Sequence, residues 1–246
     1  MLQTSNLTRR FAGLTAISNV SIDVRANEIF GVIGPNGAGK TTLFNLLSGI
    51  IPCTDGNIVF KGNDIHSLHP YQIARLGIGR TFQIVRPFTE LTVMENVLAA
   101  IGVKHCRNFF SALGQRARRK HRDEALDLLH RTQLESYQSE IASNLPLGLL
   151  RRLEIARALG LQPDLILLDE SFSGLSHAEA QSLMALVREL RALGMTALLI
   201  EHNMQVAMTL CDRLVVLDRG EKIAEGTPDQ VRNDPRVIAA YLGSEK

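Results

Sequence analysis

"IFGVIGPNGAGKTTLFNLLSG", residues 29–49, decides the fold. Ile29–Ile33 is apolar apart from one glycine, the composition of a strand buried on both faces of a parallel sheet. Leu43–Ser48 reads as helix and stops at Gly49. Between them "GPNGAGKT", Gly34–Thr41, satisfies the P-loop pattern G-x-x-x-x-G-K-[ST] in its required place between strand and helix. An ordinary glycine turn has no need of a lysine and two threonines in that register. The loop Gly34, Pro35, Asn36, Gly37, Ala38, Gly39, followed by a helix amino terminus, forms a backbone N–H cradle for phosphate. Lys40 is expected to reach the β- and γ-phosphates, and the Thr41 hydroxyl to ligate Mg²⁺. Thr42 completes the expected nucleotide contacts, so the ligands called for are ATP and Mg²⁺.

Outward from this unit, Val20–Val24 alternates apolar with polar residues and reads as a strand with one wet face. Residues 88–160 read mainly as helix. Buried strands return at Leu165–Leu168 and at Thr196–Ile200, separated by a helix from about His177 to Leu193. Leu214–Leu217 and Lys222–Ala224, joined by "DRGE", read as a hairpin, followed by a short helical tail to Leu242. The sheet is therefore interrupted by a helical insertion.

The strand "LILLDE" ends in Asp169 and Glu170, and ligands of open α/β sheets gather at strand carboxyl ends. Asp169 is placed to hold the magnesium shell, and Glu170 to orient or deprotonate the attacking water. The strand "MTALLI" brings His202 to the same edge. Gln83, in "GRTFQIVRPF", lies between the first half of the sheet and the insertion, where an amide can contact magnesium or water.

A chain of 246 residues, 45% hydrophobic and 21% charged, buries roughly three quarters of its unfolded surface, as one large domain or one and a half. A net charge of +2 is too small to argue for nucleic acid, and the cationic stretch Lys104–Arg122 reads most simply as a solvated helix face, with nucleic-acid or acidic-lipid contact as the rival. Cys53, Cys106 and Cys211 are scattered and odd in number, which fits a reducing compartment. No apolar run reaches the roughly 18 residues of a bilayer span, and the amino terminus lacks a signal-peptide layout, so a cytosolic protein is expected.

The order "GPNGAGKTT", Gln83, "NLPLGLLRRLEIARALG", "LILLDE", His202 resembles the ATP-binding subunits of ABC transporters over nearly the entire chain. "RLGIGRTFQ", "LTVMENV", "RRLEIARAL", "EHNM" and "DPRVIAAYLG" look most like the ATPases of branched-chain amino acid importers, with a lipopolysaccharide-export ATPase as a related alternative. The resemblance implies an α/β fold: a P-loop NTPase (RecA-like) core with an antiparallel β subdomain and an inserted α-helical subdomain. In domain terms, 1–87 and 161–246 form the core with its β subdomain and 88–160 the helical subdomain. It also implies ATP hydrolysis coupled to transport and a second ATPase subunit, homo- or heterodimeric. Permease subunits would dock near residues 84–100, a solute-binding protein would act indirectly, and the chain would lie on the inner face of the cell membrane. Phe11, in "RRFAGL", takes the adenine-stacking place, a core phenylalanine being the rival role.

The family's signature loop, L-S-G-G-Q or L-S-Y-G-Q, reaches ATP held by the opposite subunit. Here it reads Leu145, Pro146, Leu147, Gly148, Leu149. Pro146 supplies neither hydroxyl nor N–H, and Leu149 lacks the polar contacts of glutamine, so only Gly148 and the helix remain. Asn144 is expected to cap that helix with Pro146 in its first turn. Ser171 stands where the family usually has proline, and Ser176 where it has aspartate or asparagine; Ser176 with Glu179 spells a capping box. The altered loop leaves a second function open, that of a nucleotide-binding regulatory subunit with little turnover.

Overall fold

The computed structural model describes residues 1–83, 85–105 and 115–242. The chain opens with strands β1 (Leu2–Phe11), β2 (Leu14–Val20), β3 (Asp23–Val24) and β4 (Ile29–Ile33), the last leading through the glycine loop into helix α1 (Lys40–Leu47). β5 (Asp55–Phe60), β6 (Asn63–Asp64), α2 (Pro70–Leu76) and β7 (Ile78–Arg80) follow. Three helices come next: α3 (Val93–His105), α4 (Gln115–Arg131) and α5 (Leu147–Gly160). The remainder alternates as β8 (Leu165–Asp169), α6 (His177–Ala192), β9 (Thr196–Ile200), α7 (Met204–Leu210), β10 (Arg213–Asp218) and β11 (Glu221–Gly226), and closes with α8 (Pro228–Arg232) and α9 (Pro235–Leu242). None of the described helices is long and apolar enough to cross a membrane.

Six strands form one sheet in the order β11-β10-β4-β9-β8-β7, parallel throughout except for β11. Both faces are covered. Ile29 and Ile33 of β4, Ile166 and Leu168 of β8, and Ala197 and Leu199 of β9 pack into the core shared with α3, α5, α6 and α7. Phe30, Val32, Leu165, Leu167, Leu198 and Ile200 point the other way, into a second core with α1 and the antiparallel sheet β2-β1-β5-β6, where β3 also pairs with β1. That two-sided burial is why the strands read as unbroken apolar runs. The register sets Val32, Ile200 and Asp169 level, so the loops leaving β4, β9 and β8 open at one edge.

Several expectations need correction. The strand expected over Val20–Val24 is broken after Val20, because Thr4 of β1 inserts its hydroxyl, donating to Val20 O (3.0 Å) and accepting from Ile22 N–H (3.0 Å). Val20, Ile22 and Val24 still point inward, so the alternation was real but the ladder is not continuous. α1 starts three residues earlier than the helical run from Leu43 suggested. Asn144 does not cap α5: the cap is Pro146 itself (φ −63°, ψ 159°), without a side-chain hydrogen bond, and Asn144 ends a separate 3₁₀ turn. The residue before a proline is driven out of the α region, and Leu145 is indeed extended, which cuts Asn144 off from the helix. Ser176, by contrast, exchanges hydrogen bonds with Glu179 as a capping box for α6. The β10–β11 hairpin turns through Arg219 (φ 47°) and Gly220 (φ 84°), the two positive φ values of a type I′ turn. Cys106, Ile84 and the middle of the cationic stretch lie outside the described residues.

Candidate active site: a phosphate cradle facing a buried carboxylate

The edge where β4, β8 and β9 end carries an open cleft of about 690 Å³. One wall is the glycine loop. Gly34 (φ 148°) lies so close to β10 that a Cβ would collide with Leu217 O, and Gly39 (φ 100°) would bring one to 2.6 Å from Ala16 O. Only glycine fits either place, and the loop is thereby held to one path. Gly39 caps α1 with no side-chain bond, so its first-turn N–H groups face the cleft without a side-chain partner. Lys40 is buried, and its Nζ donates to Gly34 O (2.7 Å) and Pro35 O (2.9 Å). Burial holds its pKa below the usual lysine value, with the charge of Glu170 opposing the shift. Asn36 to Thr42 line the cleft, and the Thr41 side chain is exposed there.

The opposite wall gathers three side chains distant in sequence. Glu170 accepts Gln83 Nε2–H at 2.7 Å on one oxygen and pairs with His202 Nε2 at 2.5 Å on the other. With the carboxylate ionised, that imidazole nitrogen carries the proton. Glu170 also sits at φ 49°, a left-handed conformation that costs a non-glycine residue about 1 to 3 kcal/mol and that clusters at functional sites. Asp169, 2% exposed, is not among the residues lining the cleft: its Oδ2 accepts from Arg80 Nη2 (2.8 Å), and its Oδ1 is buried with no partner among the described residues. Its N–H donates to Thr81 Oγ1 (3.2 Å), and that hydroxyl also meets Ser171 Oγ (3.0 Å). A proline at 171 has no hydroxyl for this bond.

Phe11 is at the cleft mouth, 40% exposed with Arg9 stacked over its ring at 4.4 Å, and is not a core phenylalanine. Gly148 is not in the cleft; it packs beside the first turn of α6, where a Cβ would approach Glu179 Oε1 to 2.6 Å. Sequence reasoning missed Arg80 and Thr81, although both stand in the same "GRTFQ" as Gln83, and it missed Arg219, which lines the cleft from the hairpin turn. It also missed how α5 grips this segment: Arg151 donates to Phe82 O (3.1 Å) and Arg157 to Arg86 O (2.7 Å).

A family profile described as ABC transporter matches residues 17–173, more than half of the chain. The chain belongs to the ABC transporter family. A second profile, branched-chain amino acid ATP-binding cassette transporter, matches residues 221–246 of this ABC ATPase. It is 44% identical to the high-affinity branched-chain amino acid transport ATP-binding protein LivG of Escherichia coli K12, over 99% of this chain and 98% of the relative. It is 36% identical to the lipopolysaccharide export system ATP-binding protein LptB of Haemophilus influenzae, covering 100% and 98%. Among solved structures, the ADP conformation of the ATP-binding cassette MJ1267 superimposes with a TM-score of 0.88 at 32% identity, covering 99% of both chains. A dimeric post-hydrolysis state of the cassette MJ0796 with ADP and Pi gives 0.79 at 25%, covering 93% and 99%.

One acid of this ABC ATPase has a consequence for stability. Glu201, 3% exposed at the end of β9, accepts Phe172 N–H at 3.2 Å. Burial pushes its pKa up to about 7 from 4.5; the Phe172 N–H pulls against that shift and the negative charge of Glu170 adds to it. The folded state therefore holds a proton that the unfolded chain has released. Stability from this group is complete below pH 4.5 and lost as pH rises through about 7, a difference of about 3 kcal/mol. Glu201→Gln keeps an acceptor for Phe172 N–H without the charge. Urea unfolding at pH 5 and pH 8 is expected to give a flatter pH profile for the variant and greater stability at pH 8; parallel profiles would refute the assignment.

Proposed function

We propose that this chain is the ATP-hydrolysing subunit of an importer of branched-chain or related amino acids. It works as half of an ATPase dimer, held on the cytoplasmic face of the membrane by permease subunits. The observation that carries this is the strained Glu170, gripped by Gln83 and His202 and sharing one cleft with Lys40. Adenine stacks on Phe11. The phosphates lie over the N–H groups of the 34–42 loop, and Lys40 swings from the carbonyls of Gly34 and Pro35 to the β- and γ-phosphates. Glu170 takes the proton of the attacking water, and the His202 Nε2–H and the Gln83 amide fix its direction.

The residues fit Mg²⁺: Asp169 keeps a buried oxygen without a partner, and Thr41 offers a hydroxyl from an exposed first turn. Magnesium is bound by few protein oxygens beside the phosphates, with water in its remaining places. Thr41, Asp169 and the amide oxygen of Gln83 would hold it, and the ion would supply neutralisation of the phosphate charge there. In domain terms, 1–87 and 161–246 act as the nucleotide-binding core and 88–160 as the helical subdomain, a division supported by α3, α4 and α5 all falling between β7 and β8. The match of residues 221–246, together with 44% identity against 36%, supports amino-acid uptake over lipopolysaccharide export. Permease contact near 84–100, an indirect solute-binding protein and no nucleic acid complete the set of partners.

The reading is tested in two steps. Purified protein with Mg²⁺ binds ATP, and cells lacking the chain lose uptake of radiolabelled leucine, isoleucine and valine. Failure of the first removes the ATPase assignment; unchanged uptake of all three removes the transport assignment. A second reading, a regulatory subunit with little turnover, is favoured by Pro146 capping α5 without a side-chain hydrogen bond, where a serine offers a hydroxyl and an N–H.

A further inference from the structure

Asp169 is not held by its own strand alone. Arg80, the last residue of β7, reaches across two elements: Nη2 donates to Asp169 Oδ2 at 2.8 Å, while Nη1 donates to Ser48 Oγ at 2.6 Å and to Phe44 O at 3.3 Å. Its side chain is 9% exposed, with the guanidinium over the rings of Phe44 (5.8 Å) and Phe82 (5.4 Å). The planar fork thus ties the carboxyl end of α1, the helix that starts at Lys40, to the carboxylate at the end of β8. The positive group also sits where the dipole of α1 ends negative.

We propose that Arg80 is a positioning residue for the metal complex of ATP: by occupying Oδ2 it fixes the rotamer of Asp169, so that Oδ1, buried and unpartnered, is the oxygen left for the cation's shell. This rests on Asp169 serving the cation as read above. The geometry needs a fork, because one nitrogen is spent on Ser48 and Phe44 O and the other on Asp169. A lysine carries the charge but offers a single nitrogen, and so meets one partner or the other. Thr81, the next residue, holds the Asp169 N–H at 3.2 Å, so side chain and backbone of Asp169 are both set by β7 and the residue after it. Arg80→Lys keeps the positive charge, so a charge-only role leaves the affinity for a divalent cation unchanged whereas a positioning role weakens it.

The test is the Mn²⁺ affinity of the ATP-bound protein, read by electron paramagnetic resonance, beside ATP affinity in EDTA. Arg80→Lys is expected to weaken Mn²⁺ binding about tenfold, with metal-free ATP affinity unchanged within about twofold because the 34–42 cradle is intact. Ser48→Ala, a milder change that leaves the other arm of the fork only its longer bond to Phe44 O, is expected to weaken Mn²⁺ roughly threefold, and it decides the matter if Arg80→Lys does not fold. Unchanged or tighter Mn²⁺ in Arg80→Lys, or in Ser48→Ala where that variant decides, overturns the proposal. Asp169→Asn separates the two levels: if it leaves Mn²⁺ affinity unaltered, the reading of Asp169 falls and the role of Arg80 falls with it. If Asp169→Asn weakens Mn²⁺ and Arg80→Lys does not, only the role of Arg80 falls.

Discussion

Glu170→Gln is expected to lower ATP turnover by about 10²- to 10⁴-fold, the range spanned by a positioned general base, while ATP is still bound. Glutamine has nearly the shape of glutamate, so it can occupy the pocket between Gln83 and His202 and the same φ of 49°. What it cannot do is take a proton from water. The carboxylate now accepts two N–H groups, one on each oxygen; the amide offers one acceptor and turns its NH₂ toward the other partner, which His202 accommodates by shifting its ring proton to Nδ1. In the proposed function, binding rests on the other wall, where the glycine loop, Lys40 and Phe11 line the cleft. The variant therefore separates kcat from affinity: single-turnover hydrolysis collapses while equilibrium ATP binding stays within about twofold. Turnover within threefold of the parent protein would leave Glu170 a structural residue whose strain has some other cause.

How much of this was legible in the sequence followed from where the information sits along the chain. The P-loop unit is contiguous over 29–49, and β9 is bounded as its apolar run suggested, because strands buried on both faces write their limits into composition. Glu170 and His202 were legible for the same reason, each being the second polar residue after a buried apolar run, behind Asp169 and Glu201. β1 was not. Its sequence LQTSNLTRRF is mostly polar, its register slips against β2 and against β5, and Asn6 takes a positive φ (49°), so no period of two survives. β7 is three residues long, too short for any pattern, yet it carries Arg80. The pair Arg80–Asp169 joins residues 89 apart, and no local periodicity encodes such a bond. The cap of α5 was misplaced because a polar residue before a proline looks like a cap until the proline's own restriction on Leu145 is counted.

The same α5 start gives the second large effect. Pro146→Ser is expected to raise hydrolysis about tenfold or more at the site that receives this loop, because restoring one charge-assisted hydrogen bond returns about 1.5 to 3 kcal/mol. Pro146 already has the extended cap geometry (φ −63°, ψ 159°) that serine adopts at the same place, so the backbone need not move. The serine restores an N–H and a hydroxyl to an exposed turn whose helix dipole already favours phosphate. Adding Leu149→Gln restores a further polar contact, but Leu149 is half-buried against the main core, so that change costs some stability which the new serine cap offsets. The measurement needs one site silenced. In a heterodimer whose copy of this chain also carries Glu170→Gln, the cleft described above no longer turns over. In the proposed dimer the remaining rate belongs to the partner's P-loop closed by this chain's 145–149 loop. A rise in that rate on Pro146→Ser places the loop over the partner's phosphate and makes the proline the cause of asymmetry between the two sites. An unchanged rate, with ATP bound and the dimer intact, means that the start of α5 does not face nucleotide in the working complex.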